Sequence, residues 1–228
     1  MRTLSIDQYI LGQHGDLLIL NKPYDWPTTG RSLEDDDCVQ FHLMKRFESM
    51  VWSIHQLDAD TSGLCLFSLS KELVTHIQGV WSDAETIKEY YAVVWGEPTW
   101  DYIEELSPIG MIDERSLGVS RSGKAAHTKF EVIQRNSGFS LIRARILTGR
   151  THQIRIHLSH LGYPLVGEEW YRKEPCTLHR RQALHASRIE FPASVDVDPN
   201  LLYAPIPPDL VVLAKKLGLS FPDQRTST

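Results

Sequence analysis

Short segments rich in β-branched, aromatic and other apolar residues recur along the chain, separated by clusters of turn-forming residues. The clearest example is HTKFEVIQRNSGFSLIRARIL, where two such runs flank Asn136-Ser137-Gly138 and predict an antiparallel hairpin. Further strands are predicted in DLLILNKP, GLCLFSL, IKEYYAVVWG and QALHASRIEF, and helices in DDCVQFHLMKRF, SKELVTHIQGVW, THQIRIHLSHLG and PPDLVVLAKKLG. Because strands outnumber helices and hairpins prevail over βαβ units, we predict an α+β fold with a mixed, largely antiparallel β-sheet flanked by helices.

The length of the chain suits a single domain over residues 1–228, with a C-terminal helix at about 207–218. Cys38, Cys65 and Cys176 form no CxxC pair, which argues against a disulfide framework and fits a reducing compartment. We find no signal peptide, and no apolar run approaches the roughly 18 residues of a membrane span. We therefore expect a cytoplasmic protein without a membrane partner.

The formal net charge of −5 hides a basic region in the second half of the chain. Between Arg121 and Glu190 there are 13 Lys and Arg against 5 Asp and Glu. A local surplus matters more than the total, because phosphate groups are bound by one face of a protein. The surplus indicates a nucleic-acid partner, although chance clustering of solvated charges would explain it equally well.

The segment HQLDADTSG places Asp58 and Asp60 just before a Thr-Ser-Gly turn, at the start of a predicted buried strand. The hydroxyl and backbone N–H donors of such a turn can hold a carboxylate in its ionised form. Asp58 follows the apolar Leu57, so one acid can face a pocket while the other faces solvent. The alternative is that both acids only cap the turn.

Two other segments carry candidate binding residues. In KEYYAVVWG, Tyr90 and Tyr91 must point to opposite faces of a strand, so one of them either offers a stacking surface to a base or packs in the core. In LTGRTHQIRIHLSHLG, Arg150, the possible cap Thr151 and the helix N-terminus form a candidate phosphate site. Arg155 either pairs with a buried carboxylate or lies on the solvated face of a basic amphipathic helix.

Candidate metal ligands lack the spacing of known sites, as in the groups His152/His157/His160 and Cys176/His179/His185. The chain also has no Gly-rich nucleotide loop and no GxSxG motif. We therefore expect neither a metal nor a cofactor.

Three of these motifs together resemble those of the RluA group of pseudouridine synthases, which carry HRLDxxTSG, KxYxAxVxG and TGRxHQ(I/L)RxH. In this chain they read HQLDADTSG from His55, KEYYAVVWG from Lys88 and TGRTHQIRIH from Thr148. Supporting matches are NKP, SGKAAHTKF, LGYPLVGEEWY and ALHASRIEF, so the likeness runs in order over about residues 16–192. The resemblance implies the pseudouridine synthase fold as one catalytic domain, without the N-terminal S4 domain of some relatives, and we expect a monomer.

The resemblance also implies an isomerase that extrudes a uridine of tRNA or rRNA and converts it to pseudouridine without cofactor or metal. Asp58 matches the catalytic aspartate, and Arg155 matches the arginine that forms a salt bridge with it. Tyr90 matches the tyrosine that stacks on the target base, and Ile154 the apolar residue that packs on it. Further RNA-binding residues are expected at Gln56, His55, Lys88, Arg150 and His152. Whether Asp58 attacks C1′ or C6, or removes the C2′ proton, stays open.

Gln56 departs from the family, which has an arginine that enters the RNA stack near the vacated base. Glutamine keeps hydrogen-bonding capacity but lacks the charge and the guanidinium plane. The target uridine could then lie in an unstacked loop, another residue could enter the stack, or activity could be weak. The alternative function is a catalytically weak or silent RNA-binding module of the same fold. A third hypothesis, a hydrolase that uses Asp58 and Asp60, has no other motif in its favour.

Overall fold

The computed structural model describes residues 4–223, which begin with a short 3-10 helix at Ile6–Tyr9. The α-helices of these residues are α1 (Val39–Phe47), α2 (Lys71–Val80), α3 (Gln153–His160) and α4 (Pro208–Lys216). Their strands are β1 (Ile10–His14), β2 (Leu17–Lys22), β3 (Trp52–Ser53), β4 (Ser62–Ser68), β5 (Ile87–Trp95), β6 (Tyr102–Glu105), β7 (Ile109–Met111), β8 (Leu117–Val119), β9 (Thr128–Asn136), β10 (Phe139–Ile146), β11 (Leu184–Glu190) and β12 (Leu201–Tyr203). Every predicted strand and helix is present, and the α+β fold with a mixed, largely antiparallel sheet is confirmed.

The chain divides into two compact units, the first of which comprises the residues before Ile87 together with Ala186–Pro205. Its strands follow the order β1-β2-β4-β11, with β3 paired to β4 and β12 to β11. Every residue of β4 is buried, as its continuous apolar pattern predicts. Gly63 of β4 has a φ of 115°, and a Cβ atom there would lie 2.1 Å from the backbone oxygen of Ala186. Only glycine fits at this point of the Thr-Ser-Gly turn, because β4 and β11 approach closely there.

The second unit comprises Ile87–His185 and the residues from Ile206 onward. Its strands follow the order β5-β10-β9-β6 with antiparallel pairing, and β7 and β8 form a separate pair. Ser137 and Gly138 both have positive φ and join β9 to β10 in the tight turn that the sequence predicts. The inner face of α4 belongs to the apolar core of this unit, which includes Tyr91, Val93, Leu141, Leu210 and Leu213.

Helix α3 differs from its prediction in two respects. It begins at Gln153 with His152 as the cap residue, at a φ of 55°, so the predicted cap Thr151 is wrong. Residues from Gln153 to Leu158 are all buried, so the alternative of an amphipathic helix with a solvated basic face is also wrong. Its end is as predicted, because Gly162 follows with a φ of 88°.

The C-terminal helix, predicted at about 207–218, is α4, and Gly218 follows it with a φ of 67°. The extent of the catalytic domain, predicted as the whole chain, stays a prediction. Between residues 4 and 223, no helix combines the length and the apolar character that crossing a membrane requires.

Candidate active site

Asp58 lies on the loop between β3 and β4 in the first unit, and the backbone of this loop is fixed on both sides of it. On one side, Thr28 Oγ1 accepts the N–H of Leu57 at 3.0 Å and donates to the Leu57 carbonyl at 3.0 Å. On the other side, the N–H of Trp26 donates to the Ala59 carbonyl at 3.3 Å. Asp58 itself is half-buried, on a backbone that these contacts hold in place.

Lys22, at the end of β2, is a second anchor of this loop, and the sequence identified it only as part of the NKP match. It is fully buried, and its ammonium donates to the carbonyls of Pro23, Trp26 and Ala59 at 2.8, 2.8 and 2.9 Å. A buried lysine needs hydrogen-bond acceptors to remain charged, and these three carbonyls match the three N–H donors of its ammonium. Lys22 therefore ties the segment before α1 to the backbone next to Asp58.

His55 and Gln56 lie on the same loop but differ in environment. The His55 ring stacks on Trp81 with centroids 4.4 Å apart, and its Nε2 accepts the N–H of Leu66 at 3.2 Å. Gln56 is exposed, and its Nε2 donates to Thr29 Oγ1 at 3.2 Å. His55 thus supports the loop against β4, whereas Gln56 is open to a binding partner. The RNA-binding assignment of both residues stays a prediction.

The two tyrosines of β5 point to opposite faces of the sheet, as the strand pattern predicts. Tyr91 lies in the apolar core, 5.6 Å from the Phe221 ring, and burial raises the pKa of its hydroxyl. Tyr90 is paired across the sheet with Ala144, faces the other side and is 9% exposed. Tyr90 is therefore the tyrosine that lies outside the Tyr91 core. Lys88 lies two residues earlier and is 3% exposed, which favours an internal role over a surface contact with phosphate.

The TGR turn before α3 is held by Gln153, a residue for which the sequence suggested no role. Its Oε1 accepts from Thr148 Oγ1 at 2.7 Å and from the N–H of Arg150 at 3.0 Å. Its Nε2 donates to the carbonyl of His127 at 3.0 Å. The Nε of Arg150 donates to the Ala125 carbonyl at 2.9 Å, so this guanidinium helps to fix the turn. A phosphate site at Arg150 stays a prediction.

Arg155 in α3 forms a buried ion pair with Glu168. Its Nε and Nη2 donate to the two carboxylate oxygens at 2.9 and 2.8 Å, and the side chains are 6% and 0% exposed. Burial alone would raise the pKa of Glu168, but the hydrogen bonds and charge of Arg155 hold it below its usual value. The bidentate geometry fixes the plane of the guanidinium. A buried carboxylate therefore positions Arg155, and the pairing of Arg155 with Asp58 stays a prediction.

An aromatic cluster surrounds this ion pair. The Arg155 Cζ atom lies 5.3 Å from the ring centroids of both Trp170 and Tyr171. His152 Nδ1 is 2.7 Å from the hydroxyl of Tyr171, and its ring meets the Trp170 ring edge-on at 5.0 Å. His152, predicted to bind RNA, is thus part of the support around Arg155, and its contact with RNA stays a prediction.

The predicted site residues fall into both units. His55, Gln56 and Asp58 belong to the first unit, and Lys88, Tyr90, Arg150, His152, Ile154 and Arg155 to the second. Ile154 is 5% exposed.

Within the described part of the chain, no group of three or more His, Cys, Asp and Glu side chains is placed to hold a metal ion. The first unit supplies Asp58 on a held backbone, and the second unit supplies a guanidinium held by Glu168 and a tyrosine on the sheet face opposite the Tyr91 core.

The family model for RNA pseudouridylate synthase matches residues 16–160, which include the Asp58 loop, β5 and α3. This chain belongs to that family. Members of the RNA pseudouridylate synthase family are isomerases, and the resemblance to its RluA group is confirmed. Glu168 and Trp170 lie beyond the residues that the family model matches, in the LGYPLVGEEWY segment, and the structure gives their contacts.

Two relatives and one solved structure illustrate the similarity to this family. An uncharacterized RNA pseudouridine synthase of Bacillus subtilis, YlyB, is 33% identical over 166 residues, which cover 72% of this chain and only 55% of that protein. Ribosomal large subunit pseudouridine synthase D of Vibrio vulnificus is 31% identical over 228 residues, covering 91% of this chain and 70% of that protein. The structure of human RNA pseudouridylate synthase domain containing 4 has a TM-score of 0.77, covers 96% of both chains at 23% identity and shows the same fold.

Proposed function

We propose that this chain isomerises uridine to pseudouridine in structured tRNA or rRNA by base extrusion, with Asp58 as the catalytic group. The fixed loop is the observation that carries the proposal. Lys22 and Thr28 hold the backbone on either side of Asp58, inside the segment that the family model matches. Catalysis demands such positioning, because a small misplacement of a reacting group lowers the rate strongly. We expect the reaction to need neither metal nor cofactor.

In the proposed reaction, the N-glycosidic bond breaks, the uracil turns within the site, and C5 joins C1′; C5 then loses its proton and N1 gains one, so that the product is an isomer of the substrate. The extruded uracil stacks on Tyr90 and packs against Ile154, while Arg155 pairs with Asp58. An extruded base needs an aromatic or apolar wall to replace the stacking that it loses. The position of Tyr90 away from the Tyr91 core supports this role, and so does the fixed guanidinium of Arg155.

Ribosomal RNA is the first substrate to test, because relatives from Haemophilus ducreyi and Vibrio vulnificus are named as synthases of the large ribosomal subunit. Transfer RNA is the second. We place the protein in the cytoplasm, where both RNAs are found, and propose that it acts as a monomer.

Mapping of new pseudouridines tests the function directly. The purified chain is mixed with total RNA from a strain that lacks its own copy of the protein, and pseudouridines are mapped before and after. We expect new sites in rRNA or tRNA. RNA binding without any new site would instead support the silent RNA-binding module.

Replacement of Tyr90 tests the stacking role. Tyr90→Phe should retain turnover within about threefold of wild type, because phenylalanine keeps the aromatic face. Tyr90→Ala should lower turnover by about tenfold or more, the effect of one lost base–aromatic stack. Single-turnover assays on the mapped RNA measure both rates. Equal losses in the two variants would contradict stacking and point to the hydroxyl group instead.

Gln56→Arg tests the departure from the family. If Gln56 limits extrusion from a paired stem, arginine should raise turnover several-fold on a stem substrate and hardly at all on the same uridine in a loop. Gln56→Lys is the matched control, since it adds the charge without the planar guanidinium. If Gln56→Arg raised turnover equally on stem and loop, or if Gln56→Lys raised it as much as Gln56→Arg, general attraction of the positive charge to phosphate would account for the effect.

A further inference from the structure

Trp170 is 70% exposed, more than any other large apolar residue in the described part of the chain. It follows Glu168 by two residues and lies outside the segment that the family model matches. Large aromatic side chains usually bury most of their area, so an exposed tryptophan on a fixed segment is a candidate contact residue.

The Trp170 ring is held in place although it is exposed. Its backbone N–H donates to Glu168 Oε1 at 3.0 Å, which ties the segment to the buried ion pair. The Arg155 guanidinium carbon lies 5.3 Å from the ring centroid, and the His152 ring meets it at 5.0 Å with an interplanar angle of 65°. Little conformational entropy is therefore lost when a partner packs against the open part of the ring.

The surroundings of Trp170 favour a nucleic-acid partner over a protein partner. Glu169, Arg172 and Lys173 are charged, and Tyr171 directs its hydroxyl to His152. This part of the chain also belongs to the basic region between Arg121 and Glu190. A protein interface of useful size would need a contiguous apolar patch, whereas one base needs only one aromatic face beside positive charge.

We propose that Trp170 is a stacking site for an unpaired nucleobase of the RNA, at a position other than the target uridine. Tyr90, at 9% exposure, is assigned to the target base, and the exposed Trp170 ring would take another base of the same RNA. The site presupposes the RNA substrate of the proposed function and so rests on it. Stacking is tolerant of sequence, because every base has a π face.

Equilibrium binding of a fluorescein-labelled oligouridylate of about ten nucleotides tests the site. Trp170→Ala should raise Kd about tenfold, and Trp170→Phe should stay within about threefold of wild type. Val212→Ala is the matched control and should change nothing, because Val212 is 66% exposed on α4 and has no aromatic face. The dependence of log Kd on log salt should be the same in wild type and Trp170→Ala, since no phosphate contact is lost.

Two results would overturn the stacking site. One is a wild-type Kd in Trp170→Ala. The other is an equal loss in the alanine and phenylalanine variants together with a smaller salt dependence, which would show that Trp170 acts by placing cations such as Arg155. Thermal unfolding of each variant verifies that it is folded. Should the alanine variant fail to fold, photo-crosslinking of 5-iodouridine RNA to the wild-type chain decides: crosslinks at Trp170 support the site, and crosslinks only elsewhere overturn it.

Steady-state kinetics separates this inference from the proposed function. Trp170→Ala should raise KM about tenfold and leave kcat within about twofold, because a flanking stack binds substrate and transition state alike. An active wild type with unchanged KM in Trp170→Ala would refute the site and leave the function standing. An inactive wild type would refute the function, while the binding series would still decide whether Trp170 stacks on RNA. Self-association of the wild type that disappears in Trp170→Ala would assign the residue to a protein contact and overturn the proposal.

Discussion

Asp58→Asn should lower pseudouridine formation by roughly a thousandfold or more, the loss expected when a reacting group is removed. Asparagine has nearly the shape of aspartate but cannot act as a carboxylate nucleophile or base. The anchors Lys22 and Thr28 contact the backbone beside Asp58, so the loop should keep its position in the variant. RNA binding should therefore remain within about threefold of wild type, since it depends mainly on contacts with phosphate. Single-turnover assays and equilibrium binding on the mapped RNA measure the two effects.

Asp60→Asn is the matched control for this experiment. Asp60 lies in the same turn, two residues further on, and is also partly exposed, but it falls at a variable position of the family motif. We expect Asp60→Asn to keep turnover within about threefold, and both variants to unfold within about 0.5 kcal/mol of wild type, as is usual for partly exposed positions. Substantial turnover in Asp58→Asn, or an equal loss in Asp60→Asn, would contradict the assignment of Asp58.

Features that depend on neighbouring residues could be predicted from the sequence. The turn at Ser137-Gly138 follows from the preference of such residues for positive φ, and the buried strand β4 follows from its unbroken apolar run. The alternation of Tyr90 and Tyr91 follows from strand geometry alone. The identity of Asp58 as the leading candidate came from the motif, because a carboxylate before a turn has no distinctive pattern of its own.

Features that depend on distant residues could not be predicted. Gln153 joins the TGR turn to the carbonyl of His127, 26 residues earlier, and no local pattern marks an internal glutamine of this kind. Lys22 contacts Ala59 across 37 residues, and lysine is a residue type that normally stays at the surface. Residue preference predicts Thr151 as the cap, whereas the helix begins at Gln153, whose contact with the His127 carbonyl no local pattern shows.

The ion pair of Glu168 with Arg155 is a further contact that no local sequence pattern predicts. Its loss should have a large effect on stability and on turnover. Glu168→Gln should lower the free energy of unfolding by about 3–5 kcal/mol, because it leaves the Arg155 charge buried without its counter-ion. For a chain of this length, that loss corresponds to a decrease in Tm of roughly 10 °C. Turnover should also fall, because a glutamine amide has only one acceptor oxygen, so the guanidinium that we propose to pair with Asp58 loses the bidentate pair of hydrogen bonds that orients it. Glu169→Gln is the control: it removes the same charge from the adjacent, exposed residue and should leave both quantities unchanged.

The pH dependence of stability gives a second measure of the same ion pair. The folded-state pKa of Glu168 is held below its ordinary value of 4.5, so the ion pair stabilises the fold fully above pH 4.5 and loses this effect as the pH falls through the folded pKa. The stability difference between wild type and Glu168→Gln should therefore be constant near neutral pH and shrink under acidic conditions. Urea unfolding at several pH values measures this difference, and a difference that does not change with pH would show that the glutamine variant acts by packing alone.

The double variant Glu168→Gln/Arg155→Met separates the structural role of the ion pair from its role at the active site. Methionine removes the unpaired buried charge and fills similar space. The free energy of unfolding of the double variant should therefore exceed that of Glu168→Gln by about 2 kcal/mol or more, which recovers most of the loss. Turnover should not recover, because no guanidinium remains to pair with Asp58. If turnover rose together with stability, Arg155 would serve the fold only, and the pairing with Asp58 would have to be abandoned. If neither recovered, the hydrogen bonds of Glu168 to the Trp170 segment would be the interaction that matters.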